Sequence, residues 1–113
     1  MTLHSFDIIK EKVVRDGKVA VLVSPGFGAG WYTWNRQHPS ILFEPNVVSM
    51  VLGKVHYTEI DSYMERNYGD GFYAGGSSDL VVHWVPEGMR FRIHEYDGSE
   101  SLVLESEEEW VTA

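Results

Sequence analysis

Residues Val19–Asn35 read VAVLVSPGFGAGWYTWN. An unbroken apolar run meets Ser24–Pro25 and opens into a loop carrying three glycines, two tryptophans and a tyrosine. The run predicts a strand over Val19–Ser24, central in a sheet and covered on both faces, with cover on one face as the alternative. Pro25 ends it because proline has no amide to donate. Gly26, Gly28 and Gly30 permit tight turns and close approach of another group. The amides that such glycines free can form an anion-binding nest. Trp31, Tyr32 and Trp34 offer flat faces for stacking on a base, and Asn35 offers a paired donor and acceptor. Ser24, Gly26, Gly28, Gly30, Trp31, Trp34 and Asn35 are therefore the candidate ligand-binding residues of this stretch; taken singly, each tryptophan is more readily a core or interface residue than a ligand contact. The spacing is neither a Walker loop nor a dinucleotide fingerprint, and no Lys-Ser/Thr follows it.

Working outward, Ser5–Val14 is expected to be a helix, with Ser5 as its cap and Phe6, Ile9 and Val13 at helical spacing. Asp16–Gly17 ends it with a turn. Ser40–Phe43 is expected to be a short buried strand. A second helix runs from Pro45, suited to a first helical position, to Gly53. A third opens at Thr58-x-x-Asp61, a shortened capping box, and runs through Asn67. A glycine-rich loop around Phe72 and Tyr73 leads to a strand over Leu80–Val85, a Pro86–Glu87–Gly88 turn and a strand over Arg90–Tyr96. Asp97–Gly98–Ser99 connects that strand to a return over Ser101–Glu105. Ser106–Ala113 is expected to be a short helix. The fold class is thus α+β: a small, mostly antiparallel sheet with an N-terminal helix, one or two central helices and a C-terminal β-hairpin, forming one domain over residues 1–113.

Two-residue alternation separates the faces of the late strands. Phe91, Ile93 and Glu95 share one face, with Leu102 and Leu104 as their partners across the turn. Arg90, Arg92 and His94 share the other, where they would form a cationic ladder for phosphate or carboxylate groups. The plainer reading is a solvated face whose arginines meet Glu105, Glu107 and Glu108. Glu95, at the end of an apolar face, would accept from the exocyclic amine of a base or act as an acid or base if covered. Asp79 would cap the loop before it or touch a ligand, and His83 would neighbour the cationic ladder if its strand pairs with the next one.

Composition narrows the function classes. The 113 residues hold no cysteine, which excludes disulfides and thiolate metal sites and fits a reducing compartment. No run approaches a membrane span and no signal peptide is evident, so a cytoplasmic location and no membrane contact are expected. The net charge is −8. Nearly all of it lies beyond residue 94, where seven acidic residues stand with no lysine or arginine. That balance disfavours nonspecific nucleic-acid binding without forbidding a local basic pocket. The five histidines form no metal-ligand spacing, Ser24 lacks a nucleophile elbow, and no cofactor is expected.

SPGFGAGWYTWN together with DLVVHWVPEGMRFRIHEYDGSES, Asp79–Ser101, resembles small accessory proteins of bacteriophages and prophages. The resemblance carries over no residue role. It implies a protein made in the host cytoplasm during infection that counters host defence, by sequestering a nucleotide-derived signal or by binding a defence protein. The functional expectation is a non-catalytic binder of a phosphorylated or cyclic nucleotide, with a homo-oligomer as one way to enclose it. The alternatives are an inhibitor working through protein contacts and, ranked last, a nucleotide-processing enzyme using His83 or His94 beside Glu95.

Overall fold

The computed structural model describes residues 12–69, 72–73 and 75–105. The architecture is α+β, with two small antiparallel sheets and two α-helices. Strands β1 (Val14–Arg15), β2 (Lys18–Val23) and β3 (Val81–Pro86) form one sheet in the order β1-β2-β3. Strands β4 (Phe91–Tyr96) and β5 (Ser99–Leu104) form the second. Helices α1 (Pro45–Leu52) and α2 (Tyr57–Tyr68) lie between β2 and β3 in sequence.

β2 is the central strand, as its apolar run requires, and its two faces serve two cores. Ala20 and Leu22 point into a cluster with Trp31, Ile41, Val47, Val48, Ile60 and Met64, so the helices cover that side. Val21 and Val23 join Leu42 and Val85, against which Phe91, Ile93, Leu102 and Leu104 pack from the second sheet. The first sheet is therefore a middle layer between helices and hairpin. Fully burying an aliphatic side chain contributes about 1.5–3 kcal/mol, and β2 does so on both sides.

Both tight turns are Asp-Gly pairs with positive φ at both residues, 51° and 75° at Asp16–Gly17 and 47° and 83° at Asp97–Gly98. That backbone suits two-residue hairpins because its twist matches the strands it joins. The first turn sets Arg15 opposite Lys18 and Val14 opposite Val19. Of the helix expected over Ser5–Val14, residues 5–11 lie outside the described residues, and Val14 belongs to strand β1. β-branched Val13 and Val14 beside an Asp-Gly turn favour the extended pairing. The helix expected over Ser106–Ala113 also lies outside the described residues.

Three further expectations are corrected. Pro39–Phe43 is a 3-10 turn rather than a strand, with Pro39 at its start and Ile41 N donating to His38 O at 3.1 Å. Helix α2 is capped by His56, whose Nδ1 accepts from Thr58 N at 3.3 Å, so Thr58 lies inside the helix. Asp61 instead accepts from the Ser77 hydroxyl. Finally, β3 pairs with β2, Val19 opposite Val85 and Val21 opposite His83, while β4 pairs with β5. The turn after Pro86 carries the chain out of the first sheet: Glu87 N donates to Gly17 O at 2.8 Å, and Gly88 has φ 86°. His83 consequently stands on an exposed position of a sheet separate from Arg90, Arg92 and His94.

Helix α1 begins as its sequence dictates. Pro45 occupies the first turn, and the buried Glu44 carboxylate accepts from Asn46 N at 3.0 Å. At Gly53 the chain leaves the helix after its amide donates to Ser49 O at 2.9 Å.

Candidate functional site

The amides that gather at the glycine loop are those flanking its glycines, and the chain fills the space between them from within. Glu100 is 1% exposed. Its Oε1 accepts from Ser24 N at 3.0 Å. Its Oε2 accepts from Trp31 N at 2.8 Å, Thr33 N at 2.9 Å and Thr33 Oγ1 at 2.6 Å. Glu100 N returns a bond to Ser24 O at 2.8 Å, closing a ring between the end of β2 and the start of β5. A Cβ on Gly30 would lie 2.9 Å from the Glu100 carboxylate, so glycine is required for the carboxylate to enter. Gly28 N donates to Asp97 O at 2.9 Å, and a Cβ on Gly26 would collide with the Asp79 carboxylate.

This internal carboxylate corrects the expectation that the loop amides cradle a ligand. Ser24, Trp31 and Asn35 are all fully buried. Ser24 Oγ donates to Gly76 O at 2.9 Å, and Trp31 Nε1 donates to Ile41 O at 3.1 Å. Asn35 acts as a piece of strand: its Nδ2 donates to Trp31 O and Tyr73 O, both at 2.8 Å, and its Oδ1 accepts from Tyr73 N at 2.6 Å. Trp34 differs from its neighbour. It is exposed, stacks on Tyr73 with ring centroids 5.2 Å apart and 13° between planes, and donates from Nε1 to Glu95 Oε2 at 3.4 Å.

On β4, Arg92 and His94 lie on the exposed face that alternation assigns to them, with Arg90 just before the strand. Arg90 pairs with Glu105 at 3.4 Å between two well-exposed side chains, the plainer of the two readings for that residue. Glu95 also accepts from Gly98 N at 2.7 Å, which fixes the carboxylate at the hairpin end.

Arg92 shares a groove with a second arginine that the sequence pattern does not announce. A groove of about 250 Å³ runs beside β4, lined by Tyr32, Arg36, Leu42, Phe91, Arg92 and Ile93. The Arg36 guanidinium lies over the Tyr32 ring, 5.2 Å from its centroid. Arg36 follows the short 3-10 turn Tyr32–Trp34, whose position is set by the buried Trp31 and by Thr33 bound to Glu100. The buried carboxylate thus positions one wall of the groove and β4 supplies the other. Two guanidinium groups beside an aromatic and aliphatic floor can bind an anion with a flat or apolar body.

A second polar cluster ties the helices together. Glu44 Oε1 accepts from Tyr68 OH at 2.7 Å, and Oε2 accepts from Tyr63 OH at 3.0 Å. Burial pushes the Tyr68 hydroxyl above the ordinary phenol range, and the hydrogen bond to Glu44 and its charge add to the shift. The cluster holds the start of α1 to the end of α2. Among the described residues no group of three His, Asp or Glu side chains could hold a metal ion, and no helix is long and apolar enough to cross a membrane.

Comparison of the chain with protein-family models, with curated proteins and with solved structures finds no match.

Proposed function

We propose that this protein binds, without turning it over, a phosphorylated nucleotide-derived small molecule in the groove between Arg36 and Arg92. The supporting observation is the convergence of two arginines from separate elements on a groove with Tyr32 and Phe91 in its lining. Phosphate oxygens would take the forked donors of the guanidinium groups, and the base would lie on the aromatic side chains. At about 250 Å³ the groove falls below the ~300–1,000 Å³ common for sites that enclose a drug-sized ligand. It therefore suits one nucleotide unit, and a cyclic oligonucleotide would be gripped by one of its nucleotides or shared between protomers. In the context suggested by the phage-protein resemblance, such a binder would withdraw a nucleotide immune signal from the host cytoplasm.

Isothermal titration with AMP, cyclic dinucleotides and ADP-ribose, with adenosine as the uncharged control, tests this reading. Binding of a phosphorylated member is expected, lost by roughly tenfold or more in Arg36→Ala and in Arg92→Ala, since charge-assisted hydrogen bonds carry about 1.5–3 kcal/mol each. Absence of binding across the panel, or unchanged affinity in both variants, would refute it.

A further inference from the structure

The end of the molecule opposite in character to the arginine groove is aromatic and acidic. The loop tip at Phe27 is tied to the β4–β5 turn by Gly28 N donating to Asp97 O at 2.9 Å and by Ser99 Oγ donating to Pro25 O at 2.7 Å. Trp34 joins the same end through Glu95, and Tyr73 through its stack on Trp34. Exposure is high throughout: Phe27 74%, Tyr96 73%, Tyr73 49% and Trp34 39%. These are four of the eight large hydrophobic side chains exposed among the described residues, and the loop and turn contacts bring the segments that carry them to one end.

Exposure of this kind ordinarily comes with mobility, yet Trp34 is held on two sides. Tyr73 fixes the plane of its ring and Glu95 takes its indole N–H, while Gly98 N secures Glu95. An exposed aromatic that is already ordered loses little freedom when a partner covers it. The segments that build this end are acidic up to their borders, where Arg36 and His94 begin. Asp79, Glu95 and Asp97 lie in the segments that build this end, and the described residues of those segments, 24–31, 33–35, 73, 75–79 and 95–100, contain no lysine, arginine or histidine. Glu100 is spent on the loop amides, so the exposed carboxylates are what a visitor meets.

We propose that this aromatic and acidic end docks a lysine- or arginine-bearing segment of a partner protein. A guanidinium or ammonium group placed against Trp34 and Tyr73 gains from the negative faces of the rings, and Glu95 and Asp97 take its charge. Phe27 and Tyr96 flank the contact and exclude water from it. A phosphate or nucleic-acid ligand is disfavoured by the same carboxylates. The site is independent of the arginine groove and stands or falls separately from it.

Fluorescence anisotropy of a labelled arginine octapeptide, with a glutamate octapeptide as control, provides the test. Saturable binding of the arginine peptide at low salt is expected, with none of the glutamate peptide. Paired Phe27→Ser and Tyr96→Ser substitutions should weaken it about tenfold, as loss of interface anchors does. Both side chains are exposed, so the fold, checked by circular dichroism, should survive. Glu95→Gln should weaken binding roughly threefold to tenfold and flatten its salt dependence. Glu59→Gln with Glu65→Gln on α2 removes more charge at a distance and should change affinity by no more than about twofold. Equal loss in the α2 variant would show attraction to net charge alone and overturn the proposal. So would unchanged affinity in the aromatic variant, absence of peptide binding, or a dimer in solution that the aromatic substitutions dissolve.

Discussion

Replacing Glu100 probes the feature on which both the loop and the groove depend. Its carboxylate takes three backbone amides and one hydroxyl, one bond on Oε1 and three on Oε2. Glu100→Gln keeps the shape and one oxygen. With that oxygen in the Oε2 position, the new NH₂ faces the Ser24 amide, donor against donor. The other three bonds lose their charge assistance, and the sum is a loss of about 2–3 kcal/mol. The flipped amide is worse, because the NH₂ then faces two amides and a hydroxyl. Glu100→Ala leaves the amides of Ser24, Trp31 and Thr33 without their acceptor. At ~1–3 kcal/mol for each unsatisfied buried group, the cost of three is about 3–9 kcal/mol. Domains of this size hold only about 5–15 kcal/mol in total. A buried ion pair can often be exchanged for apolar residues at little cost, because both charged groups leave. Here the partners are backbone amides that no side-chain substitution removes, so Glu100→Leu should be no more stable than Glu100→Ala. Urea unfolding followed by tryptophan fluorescence and circular dichroism gives the midpoints, compared at unchanged slope. A Glu100→Gln protein within about 0.5 kcal/mol of the parent, or a Glu100→Leu protein as stable as the parent, would refute the reasoning.

Two further outcomes are expected. Tyr68→Phe removes one of the phenols that serve Glu44 and should cost about 1–2 kcal/mol at neutral pH. Because the folded-state pKa of Tyr68 is raised, its contribution is full below the ordinary phenol pKa of about 10 and is lost as pH rises through the folded value. Unfolding midpoints at pH 8 and pH 11 should therefore converge between parent and Tyr68→Phe; a gap that does not narrow would contradict the assignment. Gly98→Ala places a Cβ 2.5 Å from the Ala29 nitrogen and 2.8 Å from its Cα, at a residue with φ 83°. Backbone on one side and strain on the other leave no cheap relief, so a loss above about 2 kcal/mol is expected in thermal unfolding. A neutral variant would mean that the loop is not seated on the turn.

Local chemistry was sufficient for much of the framework. The apolar run of β2 pointed to a central strand, and the helices and the second sheet cover its two faces. Pro45 and Gly53 marked the ends of α1, where a fixed φ and a flexible residue respectively suit a helix boundary. Alternation on β4 set Arg92 and His94 outward and Phe91 opposite Leu104. The same rule bears on β5. Glu100 shares its face of β5 with Leu102 and Leu104, so a carboxylate was bound for the interior and would need donors there.

Which donors those are is written nowhere near it. The amides of Ser24, Trp31 and Thr33 are 67 to 76 residues away in the chain, and only folding brings them round one carboxylate. The pairing of β3 with β2 rather than β4, and the placing of Arg36 and Arg92 along one groove, are decided in the same way. Sequence periodicity assigns a residue to a face because the strand or helix alone fixes it. What stands against that face depends on how layers pack, a property of the whole chain. For this protein the sequence determined a central strand, the position of its Asp-Gly turns and the ends of α1. The tertiary structure decided that the glycine loop closes on the protein's own glutamate and that Arg36 and Arg92, far apart in the chain, line one groove.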